Sequence, residues 1–186
     1  MPVTVTIIST GEELVLGRTA DGNAPFLAAE LGRRGFVVRR IVVVGDNPEV
    51  LRDEISRSLT DCRLVLVSGG LGPTADDRTR SAIAEAVGRE LAEDLDARRH
   101  VIDRLHSFGR EATPAQLSQA LLPAGARAFP NPRGTARGFA CEVDGAWVVA
   151  MPGVPDEMHA MFRDEVLPFL MDRLGPEGGV RLETVH

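Results

Sequence analysis

The sequence predicts an α/β fold in which parallel strands are covered by helices on both faces. Two observations predict it: short runs of valine, isoleucine and leucine without polar alternation, and helix-like segments between those runs. Runs of this kind are typical of strands that are buried on both faces. The repeated order of strand and helix then indicates a mostly parallel sheet.

The first third of the chain supplies a βαβαβ pattern. We predict strands at 3–8, 36–44 and 63–67, separated by helices at 24–34 and 49–59. Gly35 ends the first of these helices, and Pro48 stands at a favourable opening position of the second.

The rest of the chain contains further candidates for both kinds of element. We expect residues 91–122 to be helical, with a break near Gly109. Three short strands and a last helix follow, at 126–129, 138–143, 146–150 and 155–173. Asp144 and Gly145 predict a type I′ hairpin between the last two strands.

Length, charge and cysteine content limit the class of protein. The 186 residues carry a formal net charge of −6, and all 21 basic residues are arginine. We expect one domain at 1–174, followed by a tail or the start of a linker at 175–186. The acidic balance argues against a nucleic-acid partner, and no apolar run approaches the roughly 20 residues that span a membrane. Two distant cysteines and an N-terminus unlike a signal peptide predict a cytoplasmic protein.

The most informative stretch is the glycine-rich turn at 68–79, between a predicted strand and a helix-like segment. Glycines let backbone N–H groups approach a phosphate closely, and a helix N-terminus adds partial positive charge. The turn is not a P-loop, because the chain has no lysine. The adjacent Asp76 and Asp77 allow two interpretations, and both can be true. In the first, one of the two aspartates caps the next helix. In the second, the pair binds a divalent cation near a bound phosphate.

Other polar loops are expected at the same edge of the sheet, because loops at the carboxyl ends of parallel strands converge on one crevice. Glu13 follows the first strand and Asp46 follows the second. The loop at 131–138 carries two arginines, two glycines and a threonine, a set suited to phosphate oxygens. The segment 151–157 repeats the order of strand, Gly/Pro turn and helix start.

These loops, in this order, resemble the MoaB/MogA-like molybdopterin-binding domain family, and most closely its CinA (competence/damage-inducible protein) N-terminal branch. The resemblance spans about residues 3–172, and its matching pieces are 13–17, 44–47, 69–79, 131–139 and 152–158. It implies an α/β three-layer sandwich with a mostly parallel sheet flanked by helices. Ala75 and Arg137 depart from the family pattern, which often has Lys and Pro there.

The resemblance implies a metal-dependent nucleotide pyrophosphatase that hydrolyses ADP-ribose, or a similar dinucleotide-like diphosphate, to AMP and a sugar phosphate. The alternative is a molybdopterin- or nucleotide-binding protein related to molybdenum cofactor biosynthesis, without hydrolysis. A third hypothesis is an interaction or oligomerisation domain of a longer parent. A divalent metal ion (Mg, Mn or Co), with potassium as a further candidate, and assembly into a homo-oligomer are expected from the resemblance.

The resemblance also assigns roles to residues. Asp46 and Asp77 would form the catalytic acidic pair, and Asp76 would assist Asp77 in holding a metal. The residues expected to bind the phosphate or the rest of the ligand are Glu13, Asn23, Gly69, Gly70, Gly72, Thr74, Asn131, Gly134, Thr135 and Gly153.

Overall fold

The structure, a computed structural model, describes residues 2–175. Its strands are β1 (Thr4–Thr10), β2 (Val37–Val44), β3 (Leu64–Ser68), β4 (Leu91–Glu93), β5 (Leu121–Pro123), β6 (Arg127–Phe129), β7 (Gly138–Val143) and β8 (Ala146–Met151). Its helices are α1 (Glu12–Val15), α2 (Asn23–Gly32), α3 (Pro48–Asp61), α4 (Thr79–Ala86), α5 (Leu95–Ser107), α6 (Pro114–Leu117), α7 (Pro155–Met161) and α8 (Leu167–Leu174). The tail predicted at 175–186 lies outside the described residues from 176 onward.

Six of these strands form one sheet, in the order β2-β1-β3-β8-β7-β6. β1 pairs in parallel with β2 and β3, and β3 pairs in parallel with β8. β7 is antiparallel to both of its neighbours, β8 and β6. The mostly parallel sheet flanked by helices confirms the predicted α/β fold.

The core lies on both faces of the sheet. On one face, Ile7 and Leu66 pack with residues of α2, α7 and α8, and on the other, Ile8 and Val67 pack with residues of α3, α4 and α5. Every residue of β3 is buried. This explains why the strand has no polar alternation, since both of its faces are covered by helices.

Two local predictions are confirmed in detail. α3 begins at Pro48, the predicted opening position. Asn47 caps this helix, because its side-chain oxygen accepts hydrogen bonds from the backbone N–H groups of Glu49 (2.9 Å) and Val50 (3.3 Å). Asp144 and Gly145 have φ angles of 50° and 79°, both in the left-handed region that a type I′ hairpin requires.

Three segments differ from the predicted helices. Both ends of the stretch predicted as helical at 91–122 are strands, because Leu91–Glu93 pairs antiparallel with Leu121–Pro123, and this tertiary pairing outweighs the local helical pattern. The last helix runs on through a π-helical turn at Phe162–Val166. Pro168 follows this turn and has no N–H to donate to the preceding turn, so the hydrogen-bond pattern changes just before it.

The remaining sequence expectations concern thiols and membranes. Cys62 and Cys141 are both free and buried, and burial raises the pKa of the Cys141 thiol to about 11. Among the helices within residues 2–175, none combines the length and apolar character needed to cross a bilayer.

The central strand should be the most sensitive part of the fold. Leu66 on β3 is fully buried, so Leu66→Ala is expected to lower the free energy of unfolding by about 2–5 kcal/mol in urea denaturation. Leu95→Ala is the matched control, because Leu95 is 68% exposed and its truncation should change stability by less than about 0.5 kcal/mol. Equal losses in the two variants would contradict the assignment of β3 to the core.

Candidate functional site

A cavity of about 550 Å³ opens at the carboxyl ends of β1, β3 and β8. Its lining combines strand ends, the glycine-rich turn at 69–72, the segment 19–23 and the segment 152–157. The volume falls within the range of about 300–1,000 Å³ that is usual for small-molecule sites. The loops therefore converge at the sheet edge that the sequence predicted.

The structure brings many of the candidate residues together in this cavity and leaves others outside its lining. The candidates that line it are Glu13, Asn23, Gly69, Gly70, Gly72, Asp77, Thr135 and Gly153. The candidates that do not line it are Asp46, Thr74, Asp76, Asn131 and Gly134. These last five stand behind or beside the lining, and several of them hold its residues in place.

The glycine-rich turn depends on residues without a side chain. Gly69 and Gly70 have φ angles of 112° and 66°, which other residues rarely adopt. A Cβ at Gly69 would lie 2.6 Å from the backbone oxygen of Thr10, and one at Gly70 would collide with Thr79 Oγ1. The backbone of the turn is therefore packed directly against the ends of β1 and α4.

A buried arginine fixes the turn from behind. Arg80 on α4 donates from Nη1 to the carbonyl oxygen of Leu71 (2.6 Å) and from Nη2 to that of Gly72 (3.1 Å). Burial lowers the pKa of Arg80, and the charge of Asp77 acts in the opposite direction. Two carbonyl groups of the turn thus face Arg80, which is not a lining residue of the cavity. Sequence reasoning missed Arg80, because nothing in its spacing marks it as different from a surface arginine.

Asp77 braces the same turn. Its Oδ2 accepts hydrogen bonds from the backbone N–H (2.9 Å) and the hydroxyl (2.5 Å) of Thr74. The capping interpretation of the two aspartates is wrong, because α4 starts at Thr79 without a side-chain cap. Asp77 instead closes a short turn of its own. Thr74 supports Asp77, and its expected contact with phosphate stays a prediction.

Asp46 belongs to an acidic group beside the cavity. Burial is the main cause that raises the pKa of Asp46, and the charges of Glu13, Asp76 and Glu12 raise it further. Within residues 2–175, no three His, Cys, Asp or Glu side chains converge closely enough to enclose a metal ion. Magnesium is usually held by one or two carboxylates together with phosphate oxygens of a ligand. The donor chemistry of this group therefore fits a metal ion that is shared with a bound phosphate.

The cavity itself is lined by four carboxylates, Glu13, Asp21, Asp77 and Glu157. No arginine or histidine is among its lining residues. A diphosphate in this cavity would meet like charges on several sides unless a cation accompanied it. Asp21 and Glu157 were not among the candidate site residues.

Glu157 is positioned by a loop residue that the sequence placed in the site. The buried Asn131 donates from Nδ2 to Glu157 Oε2 (2.8 Å) and to the carbonyl oxygen of Ala136 (2.8 Å). Its Oδ1 accepts from the backbone N–H of Gly134 (2.9 Å), and a Cβ at Gly134 would collide with the Glu157 carboxylate. Asn131 and Gly134 therefore support Glu157, and their expected contact with the ligand stays a prediction.

Asp21 and Asn23 order the opposite wall. Asp21 accepts from Ser9 Oγ (2.6 Å) and from the backbone N–H groups of Asn23 (2.9 Å) and Ala24 (3.1 Å). Asn23 donates from Nδ2 to Ser68 Oγ (2.9 Å) and to the carbonyl oxygen of Gly153 (2.8 Å). It thereby connects α2 to the ends of β3 and β8. An acidic residue two positions before a helix was a usable signal for Asp21.

Three buried polar atoms near these loops lack hydrogen-bond partners in the described part of the chain: Thr10 Oγ1, Asn23 Oδ1 and Thr79 Oγ1. Thr10 and Asn23 line the cavity, and Thr79 lies under Gly70. Buried polar atoms are normally satisfied, so these three have capacity for a further hydrogen bond.

Comparisons of the sequence with known proteins identify its family. A family model described as "Probable molybdopterin binding domain" matches residues 6–172. A CinA-like protein of Chlorobaculum tepidum is 44% identical over 167 residues, which are 88% of this chain and 40% of that protein. Protein PAE0875 of Pyrobaculum aerophilum is 41% identical over 170 residues, which are 91% of this chain and 64% of that protein. The chain thus spans about two fifths to two thirds of the length of these curated relatives.

Solved structures of related proteins have the same fold as this chain. The crystal structure of CinA from Thermoplasma acidophilum superposes with a TM-score of 0.82 and 37% identity, covering 87% of this chain and 95% of that one. MoaB from Thermus thermophilus has a TM-score of 0.62 at 21% identity, covering 91% and 92% of the two chains, and shares the fold. The chain belongs to the molybdopterin-binding domain family and is similar to the CinA proteins within it.

Proposed function

We propose that the cavity binds a phosphate-bearing nucleotide or pterin, and that a bound diphosphate such as ADP-ribose is hydrolysed there to AMP and a sugar phosphate. One observation carries this proposal: a rigid glycine turn and four carboxylates face the same cavity. Backbone N–H groups of such a turn suit phosphate oxygens. Carboxylates suit a divalent cation and the activation of water.

The acidic lining supports a role for a divalent metal ion. Asp77 and Asp76, with Asp46 beside them, are the residues that would hold Mg, Mn or Co, and potassium is a further candidate. A bound divalent ion would neutralise the diphosphate and lower the pKa of a water molecule. The backbone N–H groups of 69–72 would stabilise the charge that develops on the phosphoryl oxygens. Arg80 would keep the turn in place while that charge develops.

The alternative is binding without hydrolysis. One observation favours it: Asp77 Oδ2 already accepts two hydrogen bonds from Thr74, which leaves only Oδ1 for a metal or a water molecule. MoaB from Thermus thermophilus, which has the same fold, is a molybdopterin biosynthesis enzyme. A domain of this kind would hold a pterin or nucleotide for another step of cofactor synthesis. Assembly into a homo-oligomer remains a prediction under either function.

Release of AMP from ADP-ribose tests the catalytic proposal. With Mg, Mn or Co present, Asp77→Asn is expected to lower turnover by about a hundredfold or more, because it removes a charge from the metal site. The fold should persist, since the amide oxygen of Asn can still accept from Thr74. Asp144→Asn is the matched control: it makes the same change of charge at the far end of β8, where Asn tolerates a φ of 50°.

The outcomes separate the two functions. AMP that depends on metal and is lost only in Asp77→Asn would support hydrolysis. Saturable binding of ADP-ribose or molybdopterin without AMP, under every metal, would support the binding function. Wild-type turnover in Asp77→Asn would remove Asp77 from the mechanism.

The effect of the Glu157 charge on ligand affinity should be measurable without catalysis. In EDTA, Glu157→Gln is expected to tighten the binding of ADP-ribose about fivefold in calorimetry. It removes a repulsive charge from the cavity, worth about 1 kcal/mol, while the amide oxygen keeps the bond from Asn131. Glu142→Gln, at an exposed position on β7, should leave affinity unchanged. Unchanged affinity in Glu157→Gln would place the ligand's phosphates away from this carboxylate.

A further inference from the structure

A cluster of two arginines and a histidine lies beside the loop 131–138 and outside the cavity lining. It consists of His100 and Arg104 from α5 and of Arg137 from the loop. None of these three residues lines the cavity, although Thr135 and Ala136 of the same loop do. The loop thus has carboxylates on its cavity side and cationic side chains elsewhere.

Two members of the cluster hold the loop backbone. His100 Nε2 donates to the carbonyl oxygen of Gly134 (3.0 Å), and Arg104 Nη2 donates to that of Arg133 (3.1 Å). The Arg104 guanidinium also lies 4.9 Å from the ring centre of Phe108. These contacts keep Arg104 and His100 at fixed positions next to Arg137.

The charge of the cluster is not balanced within the described residues. The Nε atoms of Arg104 and Arg137 are buried without a hydrogen-bond partner. Across residues 2–175, no carboxylate lies within 4.0 Å of the side-chain nitrogens of Arg104, Arg133 or Arg137. A partly buried guanidinium group with unpaired donors is costly, because the lost hydration of those donors is not replaced. A chain with a net charge of −6 has many acidic groups, yet none pairs here.

The electrostatics of His100 agree with this geometry. Burial is the largest cause that lowers the pKa of His100, and the positive charges of Arg137 and Arg104 lower it further. The bond to Gly134 and the charge of Asp103 act in the opposite direction without reversing the shift. The cluster therefore presents a net positive field that an anion would relieve.

We propose that this cluster is an anion site that takes a phosphate group, separate from the glycine turn. Arginine guanidinium groups present planar pairs of donors that match phosphate oxygens. The partly exposed guanidinium groups of Arg104 and Arg137 supply donors of this kind, and the His100 ring lies beside them. Because the cluster also holds the carbonyl groups of Arg133 and Gly134, a bound phosphate would stabilise the loop that carries Thr135 into the cavity.

Inorganic phosphate is the probe for this site. In an NMR titration with phosphate at fixed pH, the chemical shifts of the His100 ring protons are expected to change and to reach saturation. The ring protons of the exposed His106 serve as the internal reference. Arg137→Gln should weaken this binding about tenfold, the effect of losing one charge-assisted hydrogen bond. The variant should remain folded, because the Arg137 side chain donates no hydrogen bond to any group within residues 2–175.

Two further variants sharpen the test. Arg137→Lys should retain most of the affinity, because it keeps the charge. Arg39→Gln changes the charge equally on β2, at the opposite edge of the sheet, and should bind phosphate like the wild type. The proposal is overturned if phosphate shifts the amides of 69–72 but not His100, or if Arg137→Gln binds as tightly as the wild type. Neither result depends on whether ADP-ribose is hydrolysed.

Discussion

The hydrogen bonds from Arg80 to the carbonyl groups of Leu71 and Gly72 are the contacts on which the site depends. They hold a guanidinium group in the interior, where burial lowers its pKa. Within residues 2–175, no carboxylate lies at ion-pair distance from this group. Removing them would leave two carbonyl groups without these partners, at about 1–3 kcal/mol for each one that is buried. A glycine turn has little stiffness of its own, so this arginine supplies it.

Charge is divided around the loop 131–138. The cavity side holds Glu157, fixed by Asn131, whereas His100 and Arg104 hold the loop backbone outside the cavity lining. The loop is therefore held by groups of both charge signs: its Asn131 side chain donates to the Glu157 carboxylate, and its Arg133 carbonyl accepts from the Arg104 guanidinium. An anion or a cation that binds at either place would act on the same short piece of backbone, which gives the two places a physical route for influencing each other.

The fold was largely predictable from sequence, and the site only in part. Buried valine and leucine runs, the helix start at Pro48 and the Asp144–Gly145 turn act locally, so their patterns identify them. Leu91–Glu93 was not predictable, because its pairing partner lies 28 residues or more along the chain. Arg80 and Glu157 were missed for a related reason. Their roles come from carbonyl and amide groups that only the folded chain brings near them.

The contact between β3 and β8 has a consequence for how ligands affect the whole molecule. Gly153 approaches Gly69 so closely that a Cβ would lie 3.2 Å from the Gly69 Cα, and Asn23 connects Gly153 to Ser68. The cavity therefore exists only when distant parts of the chain are folded together, and an unfolded or partly folded chain has no site. Binding would act on the folded state alone, so the affinity of any ligand would appear in full as added resistance of the domain to unfolding.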